Sequence, residues 1–268
     1  MANTAGLQGS IKMSWKIKKL SKVKITNPIL IEGLPGMGNV GKIAIDFIIE
    51  SLKAKKIYEI YSYSYPSVFV NEDNLVELPV IEVYHKKVGN KSLLLLAGDI
   101  QPMDEESCYE FCEQVLDMFQ SFRGKEIITL GGIGLQKIPK NPKVYCTANT
   151  KNIISKYKVN GVSNDIYGVV GSIIGVSGLL LGLASQRKIS AVSLLAETFH
   201  HPSHMGIKEA KEVLRALNKS LNLNLDLNKL NTEAMGIEKD LKLKSKEFKN
   251  LSKQLQRSSL SEDINYIG

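Results

Sequence analysis

Residues 29–52 read ILIEGLPGMGNVGKIAIDFIIESL and join an apolar run, a glycine-rich loop and a helix-length segment. Ile29–Glu32 is a short β-rich run of the kind that forms a strand, and Val40–Leu52 has the length and apolar spacing of a helix. A strand followed at once by a helix is the repeating unit of a sheet that is covered by helices. This stretch therefore predicts an α/β fold.

The same alternation continues on both sides of this stretch. The predicted strands are Ile29–Glu32, Ile57–Ser62, Leu78–Tyr84, Ser92–Ala97, Glu126–Leu130, Lys143–Thr147 and Ser190–Leu195. The predicted helices are Val40–Leu52, Asp104–Phe122, Thr150–Tyr157, Ile173–Arg187 and Ile207–Leu217. Leu93–Leu96 is an unbroken apolar run, as in a central strand with both faces covered. Together these segments predict helices packed on a largely parallel sheet.

Both ends of the chain differ in composition from this core. Residues 1–22 are predicted to be a flexible basic leader, residues 23–220 the core, and residues 259–268 a flexible tail. Between them, residues 221–258 carry apolar side chains at three-four spacing and predict a helical appendage. Such a stripe either folds back on its own domain or makes a coiled-coil contact with another copy.

The charge distribution argues against nucleic-acid binding. Residues 1–24 hold six lysines and no acid, so residues 25–268 carry only +2 of the net charge of +8. No basic motif with interleaved aromatic residues is present. The longest uncharged stretch, Tyr167–Gln186, contains GxxxG spacings, but its glycines and serines leave it short of the ~20 apolar residues that span a bilayer. Three irregularly placed cysteines and the absence of a signal peptide predict a cytoplasmic protein.

The glycine-rich loop matches two phosphate-binding patterns in part. Gly36, Gly38 and Gly41 form GxGxxG before a helix, and Gly36 to Lys42 form GxxxxGK. Ile43 then stands where a nucleotide hydrolase needs a magnesium-binding Ser or Thr, so ATPase activity is not expected. The candidate ligand loop consists of Gly33, Gly36, Gly38, Asn39, Gly41 and Lys42. Its glycines equally suit a tight turn and close packing of helix on sheet.

A second polar cluster follows the last predicted strand. It contains the weak metal candidates Glu197, His200, His201 and His204. HHxxH lacks the helical spacing of HExxH, and Pro202 interrupts it, so a polar loop is the simpler interpretation. Cys108 and Cys112 share a helix face with apolar residues and predict a buried stripe. Without a GxSxG turn or an activated cysteine, no catalytic residue, cofactor or metal is assigned.

Five segments of the chain resemble one known family. They are LIEGLPGMGNVGKIAIDFII (30–49), LLLLAGDIQP (93–102), ITLGGIG (128–134), GSIIGVSGLLLGLA (171–184) and SLLAETFHHPSHMGIKEAKEVL (193–214). In order and spacing they are similar to the PAC2 family of proteasome assembly chaperones, in its archaeal branch. The resemblance implies a three-layer α/β/α sandwich like that of purine nucleoside phosphorylases, without implying their reaction.

The resemblance also implies a function. Members of the family look like homo-oligomeric chaperones that dock on proteasome α subunits or the 20S ring, some through a C-terminal hydrophobic-Tyr-any tail. This chain ends Ile264-Asn265-Tyr266-Ile267-Gly268, with the tyrosine one position early, so Ile264, Tyr266, Ile267 and Gly268 are the candidate partner-binding residues. The expected function is a non-enzymatic assembly chaperone or adaptor. The alternative is an enzyme or sensor that binds a nucleotide or phosphorylated ligand at Gly33–Lys42.

Overall fold

The computed structural model describes residues 15–62, 68–70, 73–102, 104–159 and 161–230, and nine strands of this described part form one sheet. These strands are β1 (Trp15–Lys19), β2 (Ile29–Glu32), β3 (Lys55–Ser62), β6 (Ile81–Val88), β7 (Lys91–Gly98), β8 (Glu126–Leu135), β9 (Val144–Ala148), β10 (Val162–Ser163) and β11 (Ser190–Phe199). Their order is β1-β3-β6-β7-β2-β8-β11-β9-β10. Two further strands, β4 (Phe69–Val70) and β5 (Val76–Glu77), pair only with each other.

The centre of the large sheet is parallel. Strands β7, β2, β8 and β11 run in one direction, and Ile31 of β2 pairs with Leu95 on one side and Ile128 on the other. The outer pairs β1–β3, β3–β6, β6–β7 and β9–β11 are antiparallel. Strands β6 and β7 form a hairpin because Gly89 adopts a φ of 55° between Val88 and Lys91. Because β7, β2, β8 and β11 are parallel, their carboxyl ends lie side by side at one end of the sheet.

Helices cover both faces of this sheet, as the predicted α/β/α sandwich requires. The helices are α1 (Val40–Leu52), α2 (Glu105–Ser121), α3 (Lys151–Tyr157), α4 (Val176–Gln186) and α5 (Ile207–Leu221). Helices α1, α3 and α5 share one apolar core, and α2 and α4 share the other. Strand β2 serves both cores, since Ile29 and Ile31 face the first and Leu30 faces the second. The fold class is confirmed.

The predicted leader is not flexible throughout. Trp15–Lys19 form strand β1, which pairs antiparallel with β3 at one edge of the sheet. Trp15 is buried, packs against Phe111 with ring centroids 4.8 Å apart, and donates its indole N–H to the Ser107 carbonyl at 2.9 Å. The prediction of a flexible leader over residues 1–22 was wrong for these five residues, because a lysine-rich segment still pairs at a sheet edge that leaves its charged side chains in water.

The core also extends past its predicted end at residue 220. Three later leucines are buried in the core that α1 and α5 share, namely Leu223, Leu225 and Leu230. The Asn218 side-chain amide donates to the Leu225 carbonyl and accepts from the Leu225 N–H. The start of the predicted appendage therefore belongs to the core. The rest of the appendage and the tail, residues 231–268, lie outside the described residues.

The uncharged stretch and the cysteines are arranged as the sequence indicated. Helix α4 takes up only Val176–Gln186 of the uncharged stretch, and no helix among the described residues has the length and apolar character to cross a membrane. The thiols of Cys108, Cys112 and Cys146 are all buried.

Candidate functional site

The candidate ligand loop lies at the carboxyl end of β2, where the chain turns into α1. At two of its glycines, Gly33 and Gly41, backbone contacts leave no room for a Cβ atom. A Cβ on Gly33 would lie 2.3 Å from the Gly41 carbonyl oxygen, and a Cβ on Gly41 would lie 2.2 Å from the Leu130 carbonyl oxygen. Both distances are far below van der Waals contact, so these two glycines allow the start of α1 to pack directly on β2 and β8.

The end of the loop contacts the turn before α5. Gly38 and Asn39 have φ angles of 61° and 51°, in the left-handed region that glycine and asparagine favour. The Gly206 N–H donates to the Gly38 carbonyl at 2.8 Å. A Cβ on Gly38 would lie 2.5 Å from the Thr198 hydroxyl oxygen, so the turn itself requires glycine.

Lys42, the cation of the GxxxxGK pattern, is engaged elsewhere. Its ammonium group lies 2.7 Å from the Asp46 carboxylate and 3.3 Å from that of Asp99. Burial lowers the pKa of Lys42, but the two carboxylates more than compensate, and the pKa is raised above its usual value. A permanently charged ammonium that is held between two acids is poorly placed to bind a phosphate group.

Glu32, which the sequence analysis did not select, is a buried carboxyl beneath the loop. It accepts hydrogen bonds from the Leu34 N–H at 2.9 Å and the Ser177 hydroxyl at 2.8 Å. Burial raises its pKa to about 7, although both hydrogen bonds act in the opposite direction. Its signal in the sequence was an acidic residue at the end of an otherwise apolar strand. Glu32 links the loop to the first turn of α4.

The histidines lie beside the glycine loop, but Glu197 does not join them. A cavity of about 220 Å³ is lined by loop residues 36–39 together with His200, His201 and His204. His204 contacts the buried Glu209 carboxylate at 2.8 Å, whereas Glu197 accepts from the Tyr145 hydroxyl and the Lys143 N–H. Among the described residues, no three His, Cys, Asp or Glu side chains are arranged to hold a metal ion.

A larger cavity, of about 440 Å³, opens on the other side of the loop. Its walls are the loop, the Leu130–Gly134 part of β8, and residues 169–175 before α4. This is the crevice at the carboxyl ends of parallel strands where α/β proteins bind ligands. None of the described residues that line it carries a charge, and most of its side chains are apolar. The cavity therefore suits an uncharged or apolar group.

The chain matches a known family over most of its length. The family model for PAC2 covers residues 30–243, well over half of the 268 residues. The chain belongs to the PAC2 family. The prediction made from the five sequence segments is confirmed.

Several similar proteins and structures come from archaea. The chain is 32% identical to the uncharacterized protein MJ0106 of Methanocaldococcus jannaschii, over 90% of this chain and 95% of that protein. The crystal structure of Pyrococcus furiosus PbaB, an archaeal proteasome activator, has a TM-score of 0.76 and 33% identity over 86% of this chain and 98% of PbaB. That of P. furiosus PbaA, an archaeal homolog of proteasome-assembly chaperone, has a TM-score of 0.71 and 25% identity over 89% and 99%.

In the described part of this PAC2 protein, exposed apolar side chains cluster in two places. The first is the strap, residues 166–175, where Tyr167 is 98% exposed and Ile174 is 87% exposed. The second is the β4–β5 hairpin, whose exposed apolar residues include Val70, Leu75, Val76 and Leu78. Large exposed apolar side chains that cluster on a soluble surface are typical of protein contact sites.

The predicted tail contacts of this PAC2 protein stay predictions. Ile264, Tyr266, Ile267 and Gly268 lie outside the described residues. The described site thus consists of the glycine loop, its two flanking cavities and the strap.

Proposed function

We propose that this chain is a non-enzymatic proteasome assembly chaperone or adaptor, which binds proteasome α subunits or the 20S ring as a homo-oligomer. The observation that carries the proposal is the similarity to PbaB, at 33% identity over 98% of that protein. PbaB is an archaeal proteasome activator, and PbaA is a homolog of a proteasome-assembly chaperone. A fold alone does not establish a function, but membership of PAC2 together with these two relatives supports this one.

The site geometry supports binding over catalysis. Gly33 and Gly41 are packed against backbone atoms, Gly38 is packed against Thr198, and Lys42 is held by Asp46 and Asp99. The exposed strap and β4–β5 hairpin supply apolar surface for protein contacts. In this proposal the rigid α/β body presents surfaces and tails to a ring-shaped partner.

The C-terminal tail supplies the contact with the ring. The Tyr266 ring and the Ile267 side chain fill an apolar pocket of the ring, and Ile264 and Gly268 flank this contact. Each tail binds weakly by itself. Several tails on one oligomer raise the effective concentration, so their combined affinity exceeds that of one tail by about 100-fold or more when their spacing matches the pockets.

Deleting residues 264–268 from the full chain tests this contact. We expect co-sedimentation with 20S particles, or with isolated α rings, to weaken by more than about 100-fold, because the deletion removes every tail of the oligomer. The matched control is a chain of the same length and composition in which residues 264–268 are reordered, which should lose binding equally. Unchanged binding after deletion would remove the tail from the mechanism. If the full chain binds neither particle nor ring, the proposed function itself is wrong.

A further inference from the structure

The strap is a well-anchored segment with an unpartnered apolar surface. Three of its side chains pack on Ile133, Tyr145 and Leu195, namely those of Ile166, Val170 and Ile173. Backbone hydrogen bonds from Val169 and Val170 to the Ile166 carbonyl close a turn around Tyr167. The Tyr167 and Ile174 side chains nevertheless point outward, 98% and 87% exposed. The Tyr167 and Ile174 side chains therefore do not pack on the core of their own chain.

Unfilled space lies on both sides of the strap. The cavity of about 440 Å³ separates it from the glycine loop, and another of about 310 Å³ lies between the strap and Gly178 and Leu181 of α4. Protein interiors are normally close-packed. Exposed apolar side chains next to open, uncharged cavities form a surface that a second apolar surface would complete.

The charge of this surface selects its partner. From Ile166 to Gln186 the sequence holds no charged residue, and the exposed Asp165 lies just before the strap, so the apolar centres of two straps meet without like-charge repulsion. The β4–β5 hairpin differs, because Asp73 and Glu77 lie among its apolar residues and would face their own copies in a symmetric contact. A twofold contact places the same patch on both partners, which an uncharged patch tolerates and an acidic one does not.

We propose that the strap is a contact between two copies of this chain, in which Tyr167, Val169 and Ile174 of each copy pack against the strap of the other. The proposal rests on the homo-oligomer in the proposed function and names its surface. A tyrosine buries about 200 Å², and a stable interface needs about 800 Å² on each partner. Tyr167 and Ile174 supply only part of this area, and they form the apolar centre of the interface. The rims of the two cavities supply the rest of the contact.

Sedimentation velocity of the full chain over a dilution series tests the contact. Replacing exposed residues leaves the fold intact, so Tyr167→Asp with Ile174→Asp should keep the wild-type circular dichroism and melting temperature. We expect the concentration for assembly to rise at least about ten-fold, because buried aromatic anchors dominate interface affinity. The matched control is Val76→Asp with Leu78→Asp, which changes two other exposed apolar residues, on the β4–β5 hairpin, and should leave assembly unchanged.

Site-directed crosslinking tests the position directly. The three native cysteines are buried, so Ser172→Cys adds an exposed thiol to the strap and leaves Tyr167 and Ile174 in place. A short bismaleimide should join two copies of this variant at micromolar concentration, and should not join two copies of Val76→Cys.

The results separate this inference from the proposed function. A wild-type chain that sediments as a monomer, a strap variant that assembles like wild type, or a β4–β5 variant with an equal defect would each overturn the strap contact. Binding of the 20S ring by the intact tail is measured apart from assembly. The strap variant should still bind the ring, but with the weaker affinity of a single tail.

Discussion

At the scale of single residues, Glu32 couples ionisation to stability. Its pKa of about 7 lies above the usual 4.5 because the carboxyl is buried. In the unfolded chain the group ionises near pH 4.5, and in the fold near pH 7. The free energy of unfolding therefore falls as the pH rises between these values, and the cost of burying the charge is constant above them.

Glu32→Gln should remove this pH dependence, because an amide resembles the protonated carboxyl. We expect stability equal to wild type near pH 4.5 and higher than wild type by up to about 3 kcal/mol at pH 8, measured by urea unfolding. Glu59→Gln is a control in which stability should change in the opposite direction. The hydrogen bond from Tyr61 lowers the pKa of Glu59, and the hydrogen bond and charge of Lys56 lower it further. That variant should lose stability above pH 4.5. A constant difference between Glu32→Gln and wild type at all pH values would contradict the assignment.

Lys42 should matter for stability and not for anion binding. Lys42→Met leaves Asp46 and Asp99 without its ammonium group, and we expect a loss of about 2–3 kcal/mol. This is less than the roughly 3–5 kcal/mol for breaking a fully buried pair, because both carboxylates are partly exposed. Lys42→Arg keeps the charge and should recover part of the loss. Thermal unfolding of both variants measures the effect, and wild-type stability in Lys42→Met would show that the pair contributes nothing.

At the scale of elements, the crossing of α1 over β2 and β8 depends on Gly41. Gly41→Ala places a methyl group against the Leu130 carbonyl, and we expect a loss on the order of 3 kcal/mol. Gly182→Ala is the matched control, because Gly182 is exposed on α4 with nothing within 4 Å of an added Cβ. It should gain about 0.5–1 kcal/mol from helix propensity. Equal melting temperatures for the two variants would rule out close packing at Gly41.

The elements with strong periodicity were predictable from the sequence. Helix α1 has the predicted bounds, and β2 matches residue for residue. Strand β6 was placed at Leu78–Tyr84 but spans Ile81–Val88, because the Gly89–Asn90 hairpin was not recognised. Strands β8 and β11 continue past their predicted ends at Leu130 and Leu195. Glycines usually weaken strands, yet Gly132 is needed where Met37 approaches the backbone of β8.

The site was predictable only in its location. The glycine loop stood out because of its spacing, and it does border two cavities. That Lys42 turns to Asp99 depends on a contact between α1 and the end of β7, which spacing along the chain does not encode. The separation of Glu197 from His204 follows from tertiary partners that spacing along the chain does not encode: Glu197 bonds Tyr145 of β9, whereas His204 contacts Glu209 of α5.

At the scale of the whole molecule, the uncharged cavity predicts indifference to nucleotides. None of the described residues around it supplies a cation, so a panel of nucleotides and phosphorylated metabolites should leave the melting temperature unchanged. A true ligand at 100 times its Kd would add about 2.7 kcal/mol of stability. A shift of that size with any nucleotide would favour the sensor alternative over the chaperone.

The chain has one tryptophan, and β1 places it against α2. Its fluorescence reports on strand β1 at the edge of the sheet. The emission maximum lies at shorter wavelength while Phe111 shields the indole, and it moves to longer wavelength once water reaches the ring. Circular dichroism averages over the entire backbone. Comparing the two signals during denaturation would show whether the outermost strand peels away before the rest of the protein melts.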